Sequence, residues 1–178
     1  MVFFEDIAWI FDIALLMVLL YVSIWDLSKY RVSNIAIFIG FVIGVGRWYM
    51  CGGIASMLYS LGVSVIPILA MFLLFKIRVF GAGDIKLLSV IFCNYRIEAG
   101  SKIFLLSMIL GAVFGAAKLI WRGQLFLRFY RLVRYIGDVI QTKRIERYYD
   151  IERDGTTSAV PFALCISVAD LCYWGLCL

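Results

Sequence analysis

The chain has 178 residues, 64% of them hydrophobic and only 16% charged, with a mean hydropathy of +0.98. Soluble domains are about 45–50% apolar, so this composition excludes a soluble globular protein and describes an integral membrane protein. The net charge of +5 comes from bases clustered beside apolar runs, which excludes nucleic acid as a partner in favour of lipid, and the absence of histidine removes His-based catalysis and most metal sites.

Ile7 to Trp25 is the first apolar run, close to the ~20 residues that span a bilayer. Glu5 and Asp6 precede it and no small-residue cleavage site follows, so it reads as a retained span and not a signal peptide. A short basic loop, Asp26 to Asn34, leads to a second span from Ile35 to Met50, where Gly40 and Gly44 have the G-x-x-x-G spacing of close helix packing. After Cys51-Gly52-Gly53, a third span is predicted from Ser56 to Phe75, kinked at Pro67. Lys76 and Arg78 close it.

Next comes Phe80-Gly81-Ala82-Gly83-Asp84-Ile85-Lys86-Leu87-Leu88, a carboxylate between a two-glycine turn and a new apolar run. The run from Ile85 to Tyr95 measures only ~16 Å as a helix, against a ~30 Å hydrocarbon core. This fourth element is therefore expected to begin below the membrane surface, its turn lining a wet recess, because irregular backbone at such depth must face protein or water. A fifth span is predicted from Ile103 to Trp121, with Gly111 and Gly115 again four apart, and a sixth from Ala159 to the C-terminus.

Between spans five and six, Arg122 to Gly155 carries Leu125, Phe129, Leu132, Val133, Ile136, Val139 and Ile140 at helical spacing, with Arg128, Arg131 and Arg134 on another face. That pattern suits an amphipathic helix on the inner leaflet, its arginines on anionic lipid headgroups. The expected architecture is all-α, one polytopic domain over residues 1–178 with about six transmembrane helices. In that topology one side collects 14 basic residues, from Lys29 to Arg153, and the other only Arg47, Arg96 and Lys102. The positive-inside rule makes the first side cytoplasmic and puts both termini outside. The five cysteines form no C-x-x-C pair and read as small apolar residues. A disulfide among Cys51, Cys93 and Cys177 stays open if all three face an oxidising side.

The topology brings Asp26, at the inner end of the first span, to the depth of Asp84, at the inner start of the fourth. A carboxylate near lipid is costly and marks a candidate functional site. Gly81 and Gly83 permit unusual backbone angles and close approach of a second backbone; the bland reading of Asp84 is a helix N-cap. The bland reading of Asp26 is an interfacial partner for Lys29 or Arg31. Two aspartates a few ångströms apart do not both ionise easily and hold a shared proton. The ionised one can draw a proton from water while the protonated one polarises a peptide carbonyl. Asp84 opens a helix, whose positive end suits the charged base, and Asp26 closes one, which suits the acid.

Gly81-Ala82-Gly83-Asp84-Ile85-Lys86-Leu87 resembles the G-x-G-D-x-K-L signature of type IV prepilin peptidases. Asp26, followed by Arg31 and Val32-Ser33-Asn34, is similar to their first catalytic segment, with serine where the family has proline. Val160-Pro161-Phe162 is similar to their late V/I-P-F element. The resemblance implies an aspartic endopeptidase of the bacterial cytoplasmic membrane with Asp26 and Asp84 catalytic and Gly81, Gly83 and Lys86 shaping the active-site turn. It implies no cofactor and no metal. Its partners would be prepilins or pseudopilins, cut after a short basic leader, and membrane lipids. The chain lacks the cytoplasmic domain with paired C-x-x-C motifs found in longer, N-methylating members, and looks like the short branch serving Flp-type pili.

Other acids have other readings. Asp12 lies ~21 Å along the helix from Asp26, too far to join the pair, and Asp170 lies deep in the sixth span. Both are expected to hydrogen-bond neighbouring helices; in a different class of function, a small transporter or proton channel, they would relay charge. Non-catalytic scaffolding of a pilus or secretion machine is a third reading. Lys86 either steadies Asp84 or snorkels to headgroups. Glu146, Asp150, Glu152 and Asp154 are candidates for docking a basic leader.

Overall fold

A computed structural model describes residues 2–29, 32–76, 80–121, 123 and 161–177, with side chains for all of these except 2–8, 29, 73, 176 and 177. Its elements are helices: α1 (Val2–Lys29), α2 (Asn34–Ser64), α3 (Ile66–Lys76), α4 (Ala82–Asn94), α5 (Ile97–Trp121) and α6 (Phe162–Cys177). Three stretches are long and apolar enough to cross a membrane, Trp9–Ser28, Asn34–Phe72 and Ile97–Trp121; Phe162–Gly175 is a shorter apolar helix. The amphipathic segment expected over 122–155 and its acidic docking candidates lie outside the described residues, apart from Gly123, as do Arg31, Arg78 and Val160.

The 39-residue stretch would reach ~58 Å as one straight helix, about twice the hydrocarbon thickness. It does not run straight. A Cβ on Gly44 would lie 3.0 Å from the Cys93 sulfur, and Ser60 is hydrogen-bonded to that same sulfur at 3.4 Å. Residues ~24 Å apart along a helix can share one neighbour only if the chain folds back between them. The fold-back falls at Gly52 (φ −155°, ψ 18°) and Gly53 (φ 67°, ψ −160°). Gly53 takes a left-handed φ that a side chain would resist. α2 is thus a helical hairpin whose turn is the predicted Cys51-Gly52-Gly53 loop. Its second arm breaks again at Val65, just before Pro67, and continues as α3, where the ring's missing N–H was expected to interrupt the ladder.

α4 is the central post. Ile85 and every residue from Leu87 to Asn94 are buried, against both arms of α2, α3, α5 and α6. Lipid is as apolar as a leucine side chain, so such helices associate through close packing and hydrogen bonds. Gly40 and Gly44 supply the packing: a Cβ at Gly40 would come 2.6 Å from Val90, and one at Gly44 would meet Asn94 at 2.9 Å. Asn94 supplies the hydrogen bond, its Nδ2 donating to the Gly40 carbonyl at 3.0 Å and to Val90 O at 2.9 Å. α6 runs antiparallel to α1. Ser23 and Ser167 meet hydroxyl to hydroxyl at 2.6 Å, and Ser167 also reaches Leu19 O at 3.1 Å. On its other side the Phe162 ring fills the space over Gly111 of α5, 3.1 Å from where a Cβ would be.

Candidate active site

Three helix ends converge at one end of the bundle: the last turn of α1 and the first turns of α4 and α6. Asp26 projects from α1 and is only 6% exposed. The backbone of Ala163, in the first turn of α6, lies beside its carboxylate. Asp84 is half-buried, beside the exposed Gly81 and Ala82. It is not the N-cap of its helix. Gly81 holds that place (φ −74°, ψ 148°), and the carboxylate of Asp84, three residues on, lies back over it, Oδ2 3.2 Å from where a Gly81 Cβ would be.

The two carboxylates are close enough for the charge on Asp26 to act directly on Asp84. Both charges also reach the buried Cys165 thiol, one turn into α6. The ring of Phe80, just before the glycine turn, meets that of Phe162 edge-on, centroids 5.1 Å apart. The segments read separately from the sequence are therefore in mutual contact.

The glycines act differently from the expectation. Among the described residues only Gly53 and Gly123 have positive φ, so neither Gly81 nor Gly83 is there for an unusual backbone angle. Gly83 serves close approach: a Cβ would sit 2.9 Å from Cβ and Cγ2 of Val32. That contact presses the Val32-Ser33-Asn34 segment against the start of α4, and Lys86 Nζ fastens it by donating to Asn34 Oδ1 at 3.1 Å. Lys86 is thereby tied to the α1–α2 connection and is not simply snorkelling.

Asp26 closes its own helix, but it faces the start of α6. Both carboxylates thus lie at positive helix ends, and helix polarity no longer separates an acid from a base. The missing information was which foreign helix would end beside Asp26.

Asp12 and Asp170 gather elsewhere, at the far end of α4. Arg47 forms a two-pronged ion pair with Asp12, through Nη1 to Oδ1 and through Nη2 to Oδ2 at 3.5 Å, and its guanidinium lies over the Tyr95 ring at 5.8 Å. Asp170, 3% exposed, lies beside the Tyr95 hydroxyl, and its Oδ1 has no hydrogen-bonding partner. A small cavity lies between Asp12, Tyr95, Asp170 and Trp174, with about 10 Å³ open to the centre of a water. The sequence reading assigned both acids to neighbouring helices without naming the partners. Arg47 was legible, as a lone base in an apolar helix at the depth of Asp12. Cys51 and Cys93 are free thiols, and the Cys177 side chain lies outside the described residues.

The family model for the type IV leader peptidase family matches residues 13–116. The match contains Asp26 and Asp84 and stops within α5. No curated protein and no solved structure matches the chain. A family model that covers more than half of the chain and takes in both converging carboxylates identifies the chain as a member of the type IV leader peptidase family.

Proposed function

We propose that the protein is an intramembrane aspartic endopeptidase, with Asp26 and Asp84 as the catalytic pair, that removes the basic leader from prepilins or pseudopilins. Cleavage takes place at the cytoplasmic face of the bacterial inner membrane, with both termini of the enzyme outside. The observation that carries this reading is that Asp26 and Asp84, from different helices within the family-matched segment, converge closely enough for the charge of one to act on the other. Two carboxylates so placed hold one proton between them. The ionised partner takes a proton from the attacking water while the protonated one polarises the scissile carbonyl. The exposed Gly81-Ala82 edge beside the half-buried Asp84 gives an extended peptide a way in. Lys86 and Gly83 keep the wall of that notch in place through Asn34 and Val32. Flp-type pilins are the proposed substrates.

Against a charge-relay function, Asp12 is already committed to Arg47. The decisive experiment co-expresses a candidate prepilin with wild-type protein, Asp26→Asn or Asp84→Asn and follows leader removal by gel shift and mass spectrometry. Both substitutions should abolish processing, with membrane insertion unchanged. Normal processing in either one would overturn the assignment.

A further inference from the structure

The helices that carry the two carboxylates make no extensive contact with each other among the described residues. α1 packs on α2 and α6, and α4 packs on α2, α3, α5 and α6. α6 lies beyond the family-matched segment, yet it holds on to both sides of the pair. On the α1 side the grip is a clasp of two hydroxyls and two carbonyls. Ser23 and Ser167 meet hydroxyl to hydroxyl at 2.6 Å. Ser23 Oγ lies 2.8 Å from Leu19 O and 3.3 Å from Ala163 O, and Ser167 Oγ lies 3.0 Å from Ala163 O and 3.1 Å from Leu19 O. Both serines are buried, and Asp26 stands about one helical turn beyond Ser23 on α1. On the α4 side the buried Phe162 ring packs over Gly111 of α5 and meets the Phe80 ring edge-on, centroids 5.1 Å apart. Phe80 lies four residues before Asp84.

We propose that Phe162 and Ser167 are positioning residues of the catalytic centre, Ser167 holding α6 in register with the helix of Asp26 and Phe162 holding the Phe80–Asp84 turn to α6. The inference rests on the peptidase reading above. Ser167 and Phe162 are separated by ~7.5 Å of helix, and Ser23 and Asp26 by ~4.5 Å. Such short helical rods turn the two contacts of α6 into a gauge for the distance between the carboxylates. The clasp selects one register. Within it each hydroxyl has a carbonyl of its own helix and one of the other helix in reach, and a slide of α6 leaves each with its own alone. Small side chains are what let the two backbones come this close. The Phe162 ring is backed in turn by Gly111, its edge 3.1 Å from where a Cβ would be, so Phe80 rests on a supported surface.

Matched controls separate positioning from packing. Ser107 is as buried as Ser167 but bonds the Phe104 carbonyl of its own helix, at 2.7 Å. Phe92 packs over Gly100 of α5 as Phe162 packs over Gly111, 3.3 Å from where a Cβ would be, and lies ~12 Å along α4 from Asp84. Full-length Ser167→Ala, Ser107→Ala, Phe162→Leu and Phe92→Leu proteins in lipid nanodiscs are assayed with wild type on one prepilin, and thermal unfolding is measured for each. Tm should fall by similar amounts within each pair. In Ser167→Ala and Phe162→Leu kcat should fall roughly 10- to 100-fold, as ~1 Å of misplacement does, with KM within about twofold and both controls near wild-type kcat. Should Phe162→Leu fail to insert, the serine pair decides alone. Wild-type kcat in either folded variant, or a loss shared with its control, overturns the inference and leaves the peptidase reading standing. Absence of cleavage by the wild-type protein overturns the reading itself.

Discussion

Gly83→Ala tests how the active-site wall is built. The added methyl would stand 2.9 Å from Cβ and Cγ2 of Val32, whereas carbon atoms rest at about 3.5–4.0 Å. Something must therefore move by roughly 0.6 Å or more. Gly83 is helical, so alanine adds no backbone strain there and gains up to ~1 kcal/mol in helix preference. Overpacking works the other way, at ~1–3 kcal/mol. The net loss of ~0–2 kcal/mol corresponds to a Tm lower by no more than about 8 °C in a chain of this size. Activity should suffer far more, since Val32 precedes the Asn34 that Lys86 holds, and an ~1 Å misplacement beside the chemistry can lower the rate about 100-fold. Prepilin cleavage and thermal unfolding, both in detergent, measure the two effects. Val32→Gly in the same chain removes the opposing atoms and should restore most of the rate. A fully active Gly83→Ala protein, or a double variant no better than the single one, would refute this account of the glycine.

Gly40→Ala is expected to cost ~1–3 kcal/mol of stability by overpacking against Val90, 2.6 Å away, and Val90→Ala should recover part of it; an unchanged Tm would show that α2 and α4 can move apart freely. Breaking the Asp12–Arg47 pair, whose partners are 14% and 18% exposed, with Arg47→Met should cost ~1–3 kcal/mol and leave the cleavage rate of the folded protein unaltered. Loss of cleavage in folded Arg47→Met would mean that the far cluster communicates with the catalytic pair. The pH profile of kcat/KM should be bell-shaped, its two limbs belonging to the Asp26–Asp84 pair jointly; a profile with one limb argues against a shared proton.

Several elements were legible before any coordinates because each leaves a local signature. Runs of apolar residues marked the helices, Pro67 the break before α3, and the Gly40–Gly44 spacing the close face of α2. The agreement in depth of Asp26 and Asp84 followed from topology alone. What stayed hidden depended on contacts between distant segments. Helix α4 starts at Ala82, with Gly83 and Asp84 in its first turn. The Ser23–Ser167 clasp leaves no trace in hydropathy, since serines are common in membrane helices and often bond back to their own backbone.

The length of α4 has one more implication. Thirteen residues give a rod of ~20 Å in a hydrocarbon slab of ~30 Å, and the deficit has to appear somewhere along its axis. Ionisable side chains gather at both of its ends, Asp26 and Asp84 at one and Asp12, Arg47, Tyr95 and Asp170 at the other. Flanked by the longer α5 and α6, such a short strut leaves a well above and a well below, and wells admit water. Inserting one helical turn into α4 would plug one of them and strand its acids in oil, so the brevity of this helix is what makes charge tolerable so deep in the bundle.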